Sequence, residues 1–543
     1  MMPLSQFKPS DYQLPLDLQK FIASYEGPSD EEVPLDVLFV GAGPAGLIGA
    51  ISLAQKAKAA GKELEIGVLE KAESIGGHSI SGAIINPVVL KQVFPEEKNF
   101  PFRNLIKGEQ VLFLTDNGKF PVPTPPTMHN KGLYSASLCE VVQWLGKKAE
   151  ELGINLLTGF PAHQLLMDGD QVKGVRTTPS GLNKDGSLSN QVMPPTNITA
   201  QYTVLCDGSR GLLTQVYLEH QKISSPLPQI YALGVKEVWK TPHPPQKVYH
   251  TMGWPLPSDA FGGSFLYPMG KDMLSIGLVV GLDYKPHNLD VHYLLQKMKT
   301  HPFFKPFLDG GELLEWGAKT IPEGGYHSLP ETLTGPGILI AGDAAGFVNV
   351  PALKGIHYAM ESGRLAAQAI FKAIESNTPN AIDEYNQLLK DSFIYKDLYK
   401  VRNMRQAFKD GLYKGGFKAA LMTLTNGAFP SSTPKVLPDA EEPKFINPKP
   451  FVEEQGIKKV DAVYQSANKT RDDIPPHLSA KKDIPKEVAE FYTHMCPAGV
   501  YEVNESGELV INAPNCVDCK ATDILGPRWE PREGGSGPNY RFM

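Results

Sequence analysis

The stretch LDVLFVGAGPAG, residues 35–46, constrains the fold of this chain more than any other part of it. Its apolar first half predicts a buried parallel strand, and Gly41, Gly43 and Gly46 follow in the G-x-G-x-x-G spacing. A helix and a second strand that ends on Glu70 are predicted next. The glycines of such a unit let the backbone approach a pyrophosphate, and the acid accepts hydrogen bonds from ribose. The sequence therefore predicts a dinucleotide-binding domain for FAD or NAD, and the acid disfavours NADP.

Two further segments favour FAD over NAD. The loop after the second strand contains Gly77, His78 and Ser81 and can lie along a second nucleotide moiety. Far downstream, GILIAGDAAG predicts a strand followed by Asp343, and a helix is predicted from about Gly355. An aspartate at this point can bind the ribityl chain of FAD. The N-terminus of the helix then favours the negative charge that a flavin gains on reduction.

Length and charge restrict the function classes. A chain of 543 residues predicts several domains, and a net charge of −6 without a basic block argues against nucleic acid as a partner. The N-terminal segment lacks the apolar core of a signal peptide and the arginines of a mitochondrial transit peptide. No stretch approaches the roughly 18–20 apolar residues of a membrane helix. We expect a protein that lies at most on a membrane surface.

Three of the five cysteines, Cys496, Cys516 and Cys519, lie in the last fifty residues. This distribution is typical of a metal or iron–sulfur site in a reducing compartment rather than of secreted disulfides. A fourth ligand is expected for either kind of site, but Thr522 stands at the next three-residue step. The residues alone leave open a cluster that lacks a ligand, a zinc site and a relic of either.

Several longer blocks resemble the electron transfer flavoprotein–ubiquinone oxidoreductase family from about residue 33 to the C-terminus. The resemblance implies FAD, one [4Fe–4S] cluster, a quinone pocket and peripheral attachment to an energy-transducing membrane. It also implies reduced electron transfer flavoprotein as the electron donor and ubiquinone or menaquinone as the acceptor. The blocks are GGHSISGAIINP, HTMGWPL, FGGSFLYPM, LSIGLVVGLDY, YHSLPETLTGPGILIAGDAAGFVNVPALKGIHYAM, MCPAGVYEV, NCVDCK and EGGSGPNY.

The resemblance implies that the three C-terminal cysteines are cluster ligands and places the fourth ligand of the family at Thr522. A threonine hydroxyl is a poor ligand because it would have to lose a proton of very high pKa. Asp523 is therefore a candidate substitute, and without one the fourth iron carries water or is lost to give a three-iron cluster. Zinc on the three cysteines with His494 or Asp523 is the alternative. The Cys496–Pro497 step is typical of ferredoxin-like ligands and favours iron–sulfur.

The quinone pocket implied by the resemblance maps to Phe261, Gly262 and Gly263. Glycine N–H groups can donate to a quinone carbonyl while apolar walls hold the ring. The alternative is an ordinary hairpin turn in the second domain.

The predicted fold class is α/β (α+β overall), with a Rossmann-like FAD domain, a strand-rich quinone domain and a C-terminal ferredoxin-like iron–sulfur domain. The segment 376–429 is predicted to be helical, and it is either a membrane-surface patch or an amphipathic core helix. The expected location is peripheral, on the cytoplasmic face of a bacterial inner membrane. The predicted divisions are 33–220 with 331–375 (FAD), 221–330 (quinone), 376–429 (helical), 430–486 (extended linker) and 487–543 (iron–sulfur).

The sequence predicts an enzyme that passes electrons from the reduced flavoprotein to the quinone. One alternative is an FAD-dependent hydroxylase or isoprenoid reductase that uses NAD(P)H, which has no need of the cysteine-containing tail. The other is a redox-inactive homologue that serves as a binding or assembly protein, against which the intact flavin motifs argue.

Overall fold

The computed structural model describes residues 4–28, 32–428 and 435–543. The longest helices lie before residue 425, whereas the helices after residue 435 are short. The α-helices of the described residues are Leu18–Phe21, Pro44–Ala59, Val88–Val93, Leu138–Glu150, Leu212–His220, Val291–Lys299, Lys305–Leu308, Ile356–Ser376, Glu384–Asp391, Phe393–Lys400, Met404–Ala407, Leu412–Leu424, Lys459–Tyr464, Lys486–Met495 and Ala521–Leu525.

The larger sheet contains the predicted nucleotide-binding unit. Its central strand, Glu32–Val40, lies parallel to Ile66–Glu70 on one side and to Asn197–Leu205 on the other. The apolar end of the central strand is buried, as expected for a strand covered by helices on both faces. The strands of this sheet among the described residues are Ile22–Ser24, Glu32–Val40, Ile66–Glu70, Asn155–Thr158, Ala162–Asp168, Gln171–Thr177, Asn197–Leu205, Thr334–Gly335 and Ile338–Ile340.

Two helices that begin beside this sheet pack closely against each other. Gly363 of the helix Ile356–Ser376 faces Ala45 of the helix Pro44–Ala59, and a Cβ on Gly363 would lie 2.0 Å from the Ala45 carbonyl oxygen. A Cβ on Gly342 would likewise lie 3.0 Å from the Ala45 Cβ. The start of the first helix therefore lies beside the segment that leads into the second.

The second sheet has mostly antiparallel strands. Its strands among the described residues are Glu109–Leu114, Lys119–Val122, Tyr231–Lys240, Val248–Gly253, Gly262–Pro268, Met273–Gly281 and Glu312–Pro322. The division predicted from the sequence placed residues 33–220 in the FAD domain, but Glu109–Leu114 pairs in parallel with Val248–Gly253 of this sheet. The sequence did not reveal this exchange because strand partners are set by tertiary packing.

The C-terminal region is built from short elements that pack on the second sheet. Its helix Lys486–Met495 precedes a hairpin, and Leu478–Ser479 pairs with Arg528–Trp529. The predicted linker, 430–486, contains the helix Lys459–Tyr464 and shares an apolar core with the cysteine-containing segment, so its second half is packed rather than extended. Its predicted start at 430 lies outside the described residues. Among the described helices, none combines the length and the apolar character needed to cross a bilayer.

The smaller pairings complete the strands. They are Gln6–Phe7 with Lys444–Phe445, Ser180–Leu182 with Leu188–Met193, Tyr501–Val503 with Leu509–Ile511, and Tyr134–Ser135 between Ile84–Ile85 and Asn104–Leu105.

Candidate flavin, cluster and quinone sites

The three motif glycines occupy positions where a side chain has different consequences. Gly41 has a φ of 109°, and a Cβ there would lie 2.4 Å from the Cys206 carbonyl oxygen. A Cβ on Gly46 would lie 2.0 Å from the Gly41 carbonyl oxygen, so this position requires glycine for close helix–strand packing. Gly43 is the N-cap of the helix Pro44–Ala59, and its Cβ would have no neighbour within 4 Å. This open space at a helix N-terminus is where a pyrophosphate fits.

Glu70 is held beside the glycine loop by two backbone amides. Its Oε2 accepts from the Ala42 N–H at 3.0 Å, and its Oε1 accepts from the Ala72 N–H at 2.8 Å. A carboxylate has about four lone-pair sites. Both oxygens therefore keep capacity to accept from ribose hydroxyls, and the position fits FAD.

The loop with Gly77, His78 and Ser81 is covered by the C-terminal tail, which the sequence did not predict. The Tyr540 N–H donates to the Gly77 carbonyl at 2.8 Å. His78 Nδ1 is buried and has no hydrogen-bond partner among the described residues, and burial lowers its pKa well below the ordinary value. An unpartnered buried nitrogen is what a bound polar group would satisfy. Ser81 Oγ instead accepts from the Ala83 N–H at 3.0 Å and shapes the loop.

Asp343 lies where the two helices approach. Burial raises the pKa of its carboxyl to about 6, while Lys319 acts in the opposite direction. Gly355 is the N-cap of the helix Ile356–Ser376, and its Cβ would lie 3.7 Å from Asp343 Oδ1. A cleft of about 110 Å³ borders Asp343. The buried carboxyl fits the ribityl chain of a flavin, and the helix N-terminus beside it fits the ring that gains charge on reduction.

The three C-terminal cysteines are buried and line one small cavity. Burial raises the pKa of all three thiols, that of Cys516 to about 12. Thiols of this kind ionise when a metal binds, because the metal charge stabilises the thiolate. The cavity is lined by Leu478, Cys496, Ala498, Val500, Tyr501, Cys516, Val517, Cys519, Ala521 and Thr522. Three thiols that face one largely apolar cavity fit an iron–sulfur cluster.

Besides the three cysteines, two residues with polar side chains line this cavity, Thr522 and Tyr501. The Thr522 Oγ1 donates to the Pro527 carbonyl at 2.9 Å and lies 2.5 Å from the Tyr501 hydroxyl oxygen. These contacts offer the threonine no base. The hydroxyl is therefore held neutral, which is unfavourable for metal ligation.

Asp523 does not line the cavity. Its Oδ2 accepts from Arg210 Nε at 3.0 Å, and Arg528 lies 3.5 Å from the other oxygen. The hypothesis that Asp523 replaces the missing ligand is therefore unsupported by this geometry, because the carboxylate already neutralises buried arginine. His494, the other candidate for a zinc site, also lies outside the cavity, and its Nδ1 is 3.5 Å from a carboxylate oxygen of Asp290.

Asp518, in the middle of the CVDC segment, is a residue that sequence reasoning missed. Its carboxylate pairs with Lys71 and Arg532 and accepts from Trp529 Nε1 at 3.0 Å. Arg532 and Lys71 hold its pKa well below the ordinary value against the opposing effect of burial. Since Lys71 follows Glu70 in the chain, this ion pair joins the cysteine loop directly to the nucleotide-binding unit.

The two glycines of the predicted quinone pocket lie inside the second sheet rather than in a hairpin turn. They begin the strand Gly262–Pro268 and pair with Val280 and Val279 of the neighbouring strand. A Cβ on Gly262 would lie 2.3 Å from the Val279 carbonyl oxygen, and one on Gly263 would lie 2.5 Å from that of Thr251. Both positions therefore require glycine for sheet packing, whatever they bind.

Phe261, next to these glycines, has an aromatic and a cationic neighbour. Its ring lies 4.0 Å from the Arg405 guanidinium carbon and 5.2 Å from the Phe408 ring. Arg405 is itself fixed by Asp283 at 3.0 Å and Glu323 at 2.7 Å. The ring is thus held by a buried ion network and has the flat apolar surface that a quinone ring can stack on.

A dinucleotide unit with a buried aspartate beside a helix N-terminus, joined on one chain to a three-thiol cavity, defines the class as a flavoprotein oxidoreductase with an iron–sulfur domain. Comparison with known proteins supports this class. Residues 231–321 match the family model described as ETF-QO, ubiquinone-binding, and residues 455–541 match electron transfer flavoprotein–ubiquinone oxidoreductase, 4Fe-4S.

Curated relatives extend the match to nearly the whole chain. The mitochondrial electron transfer flavoprotein–ubiquinone oxidoreductase of Oryza sativa subsp. japonica is 38% identical over 546 residues, which cover 94% of each chain. The protein of the same name from Mus musculus is 37% identical and covers 94% of this chain and 89% of its own. The chain belongs to the electron transfer flavoprotein–ubiquinone oxidoreductase family. The predicted fold class, the enzyme class and the cofactors FAD and an iron–sulfur cluster are thereby confirmed.

Solved structures share the fold at much lower identity. A geranylgeranyl bacteriochlorophyll reductase-like protein from Thermoplasma acidophilum matches with a TM-score of 0.58 and 18% identity, over 73% of this chain and 96% of its own. The flavin-dependent brominase Bmp2 in a triple mutant form gives 0.51 and 17%, over 73% and 94%. These likenesses show the fold alone.

Proposed function

We propose that this chain is an oxidoreductase that passes electrons from reduced electron transfer flavoprotein to a membrane quinone, ubiquinone or menaquinone. The observation that carries the proposal is the contact between sites. The cysteine loop contacts the nucleotide-binding unit through the Lys71–Asp518 ion pair, and the Cys519 carbonyl accepts from the Thr320 N–H of the second sheet at 2.9 Å. Two redox sites in contact allow electrons that arrive singly to be collected before a two-electron acceptor is reduced.

Each site has a separate task. Gly43 and Glu70 hold the dinucleotide, Asp343 and the helix that starts at Gly355 hold the flavin part, and the three cysteines hold the cluster. Bound FAD exchanges electrons singly or in pairs, and this property links the two partners. The protein contributes position, burial and a charged surrounding.

The cluster of this chain has three protein thiolates and a fourth ligand that the protein does not supply. The neutral contacts of Thr522 and the engagement of Asp523 with arginine support this proposal. The fourth iron is then bound by water or another small ligand, or is absent in a three-iron cluster.

We place the quinone at Phe261 and the two following glycines because this segment lies beside an exposed apolar surface. The helix Leu412–Leu424, here called the surface helix, is joined to it by the hydrogen bond from the Leu412 N–H to the Ser258 carbonyl at 2.9 Å. A quinone with a long apolar tail needs such a short route between its pocket and the bilayer.

The surface helix carries large side chains that remain exposed. Tyr413, Phe417 and Leu424 have exposed fractions of 72%, 69% and 82%. The Phe113 ring contacts the Tyr413 ring at 6.4 Å, and Phe113 pairs across its hairpin with Phe120, which is 58% exposed. Aromatic and leucine side chains together with lysines are typical of a helix that lies in a membrane interface. The assignment to the cytoplasmic face of a bacterial inner membrane stays a prediction.

The alternative of an NAD(P)H-dependent hydroxylase or isoprenoid reductase predicts a different electron donor. The cysteine-lined cavity is a feature that such chemistry does not need. When the holoprotein is mixed anaerobically with reduced electron transfer flavoprotein, its flavin absorbance should bleach. Mixing with NADH or NADPH should leave the flavin absorbance unchanged. Rapid bleaching by a nicotinamide nucleotide alone would refute the proposed donor.

A further inference from the structure

Lys319 lies between the two redox sites, on the strand Glu312–Pro322. Its ammonium group donates to the Asp518 carbonyl at 3.0 Å, one residue before the cluster ligand Cys519. On the other side, its charge acts on Asp343 in the flavin site and is itself influenced by Glu70. Asp518 also pairs with Lys71, which follows Glu70 of the nucleotide-binding unit, so Lys319 is bonded to the segment that joins the two sites and lies within electrostatic range of both.

The strand that carries Lys319 is fixed to both sites by its next residue. The Thr320 N–H donates to the Cys519 carbonyl at 2.9 Å, and Thr320 Oγ1 lies 3.1 Å from the hydroxyl oxygen of Ser209. Ser209 belongs to the CDGSRG loop, whose Asp207 accepts at 2.6 Å from the Thr214 hydroxyl in the first turn of the helix Leu212–His220. This arrangement leaves the ammonium group little freedom to move away.

Among the described residues Lys319 forms no direct ion pair with a carboxylate, since Asp518 is already paired with Lys71 and Arg532, and Glu70 and Asp343 act on it only at longer range. In the described part of the chain its hydrogen-bond partner is a neutral carbonyl, whereas Lys299 of the same region forms a buried ion pair with Glu237 at 2.8 Å. A buried cation is costly unless a negative charge lies nearby. Flavin and cluster both gain negative charge on reduction, so their reduced forms add negative charge within range of a cation that has no direct ion pair.

We propose that Lys319 is an electrostatic positioning residue shared by the two redox sites, whose positive charge stabilises the reduced forms of both cluster and flavin. This inference rests on the proposed function. A nearby positive charge favours the state with one more electron, so it raises the midpoint potential of each site. The charge of Lys319 therefore shifts both potentials in the same direction.

Three substitutions separate charge from hydrogen bonding. Lys319→Met removes both, Lys319→Gln keeps a donor for the Asp518 carbonyl but removes the charge, and Lys319→Arg keeps the charge. Lys236→Met is the matched control, because Lys236 is a buried lysine of the adjacent strand whose ammonium group has no hydrogen-bond partner among the described residues and whose titratable neighbours are Cys139 and Glu315.

The readout is the midpoint potential of flavin and of cluster in anaerobic titrations of the holoprotein, followed by absorbance and by electron paramagnetic resonance. We expect both potentials to become more negative in the Met and Gln variants and to stay unchanged in Lys319→Arg and Lys236→Met. A shift at only one site, no shift, or wild-type potentials in Lys319→Gln would overturn the proposal.

The Gln and Arg variants decide the question if Lys319→Met fails to load its cofactors. The wild-type spectrum separates the two levels of the proposal. Wild-type protein with neither a flavin nor a cluster signal would overturn the proposed function and this inference with it. Both signals with unshifted potentials would overturn the role of Lys319 alone.

Discussion

Thr522 occupies the position where the family places a cysteine, and its surroundings are already suited to a ligand. Its side chain is buried and lines the cavity together with the three cysteines. A cysteine thiol at this position would face the same cavity. We therefore expect Thr522→Cys to give a four-iron cluster that survives air longer than that of the wild type.

Iron and acid-labile sulfide analysis with electron paramagnetic resonance before and after exposure to air measures this effect. Asp523→Asn is the matched control, since Asp523 contacts Arg210 rather than the cavity. We expect this control to lower protein stability and leave the cluster type unchanged. Equal lability of Thr522→Cys and wild type, or conversion of the cluster type by Asp523→Asn, would contradict the assignment.

Asp343 gives a prediction about pH. Burial raises the pKa of Asp343 to about 6 from 3.8, so the folded state binds its proton more tightly than the unfolded state does. Its contribution to stability is therefore most favourable below the unfolded pKa and falls as the pH rises through about 6. In flavin-free protein, we expect wild type to lose about 1–1.5 kcal/mol relative to Asp343→Asn between about pH 5 and 7.5. Urea unfolding of both proteins at the two pH values measures the difference, and parallel pH dependences would contradict it.

The surface helix is distinguished by its large exposed aromatic and leucine side chains. Tyr413→Ser and Phe417→Ser should each weaken binding to vesicles about tenfold, because each removes an aromatic ring worth roughly 1.5–3 kcal/mol when buried in lipid. Co-sedimentation with vesicles that contain anionic phospholipid measures the loss. Tyr464→Ser is the control, since Tyr464 is 83% exposed but lies on the helix Lys459–Tyr464 of the C-terminal region. Equal losses in control and test variants would refute a membrane role for the surface helix.

At the scale of the whole molecule, the buried carboxylate of Asp518 connects the cluster region to the nucleotide-binding unit. Asp518→Asn should destabilise the protein by about 3–5 kcal/mol, because it leaves Arg532 and Lys71 without a partner. Because the pKa of Asp518 is depressed, this stabilisation is fully present at pH values above the ordinary pKa of aspartate. It is lost as the pH falls below that value. Denaturant unfolding measures the loss.

An exposed ion pair between the same two regions provides the control. The Glu73 and Lys469 side chains are 56% and 62% exposed, so Glu73→Gln should cost less than about 1 kcal/mol. If Asp518→Asn costs no more than this control, the buried pair does not hold the two regions together.

Local patterns predicted the parts of the fold that local chemistry determines. The glycine spacing, Glu70 and the step into Asp343 are legible because each requirement lies within a few residues. The same reasoning could not foresee that Asp523 pairs with Arg210, more than 300 positions away, or that the tail covers Gly77. The sequence left open whether Gly262 and Gly263 line a pocket or form a hairpin turn. Strand pairing shows that they lie inside a sheet. Long-range partners, rather than weak motifs, account for these differences.

In the proposed function, one molecule carries electrons from a flavoprotein donor to quinone by way of its flavin and its cluster. The most direct measurement reduces the holoprotein anaerobically with reduced electron transfer flavoprotein and then adds a short-chain ubiquinone. We predict that the flavin absorbance and the cluster signal change on reduction and return on addition of quinone, with quinol formed in proportion to the electrons supplied. Reduced protein that keeps its electrons in the presence of quinone, but loses them to oxygen, would contradict the account.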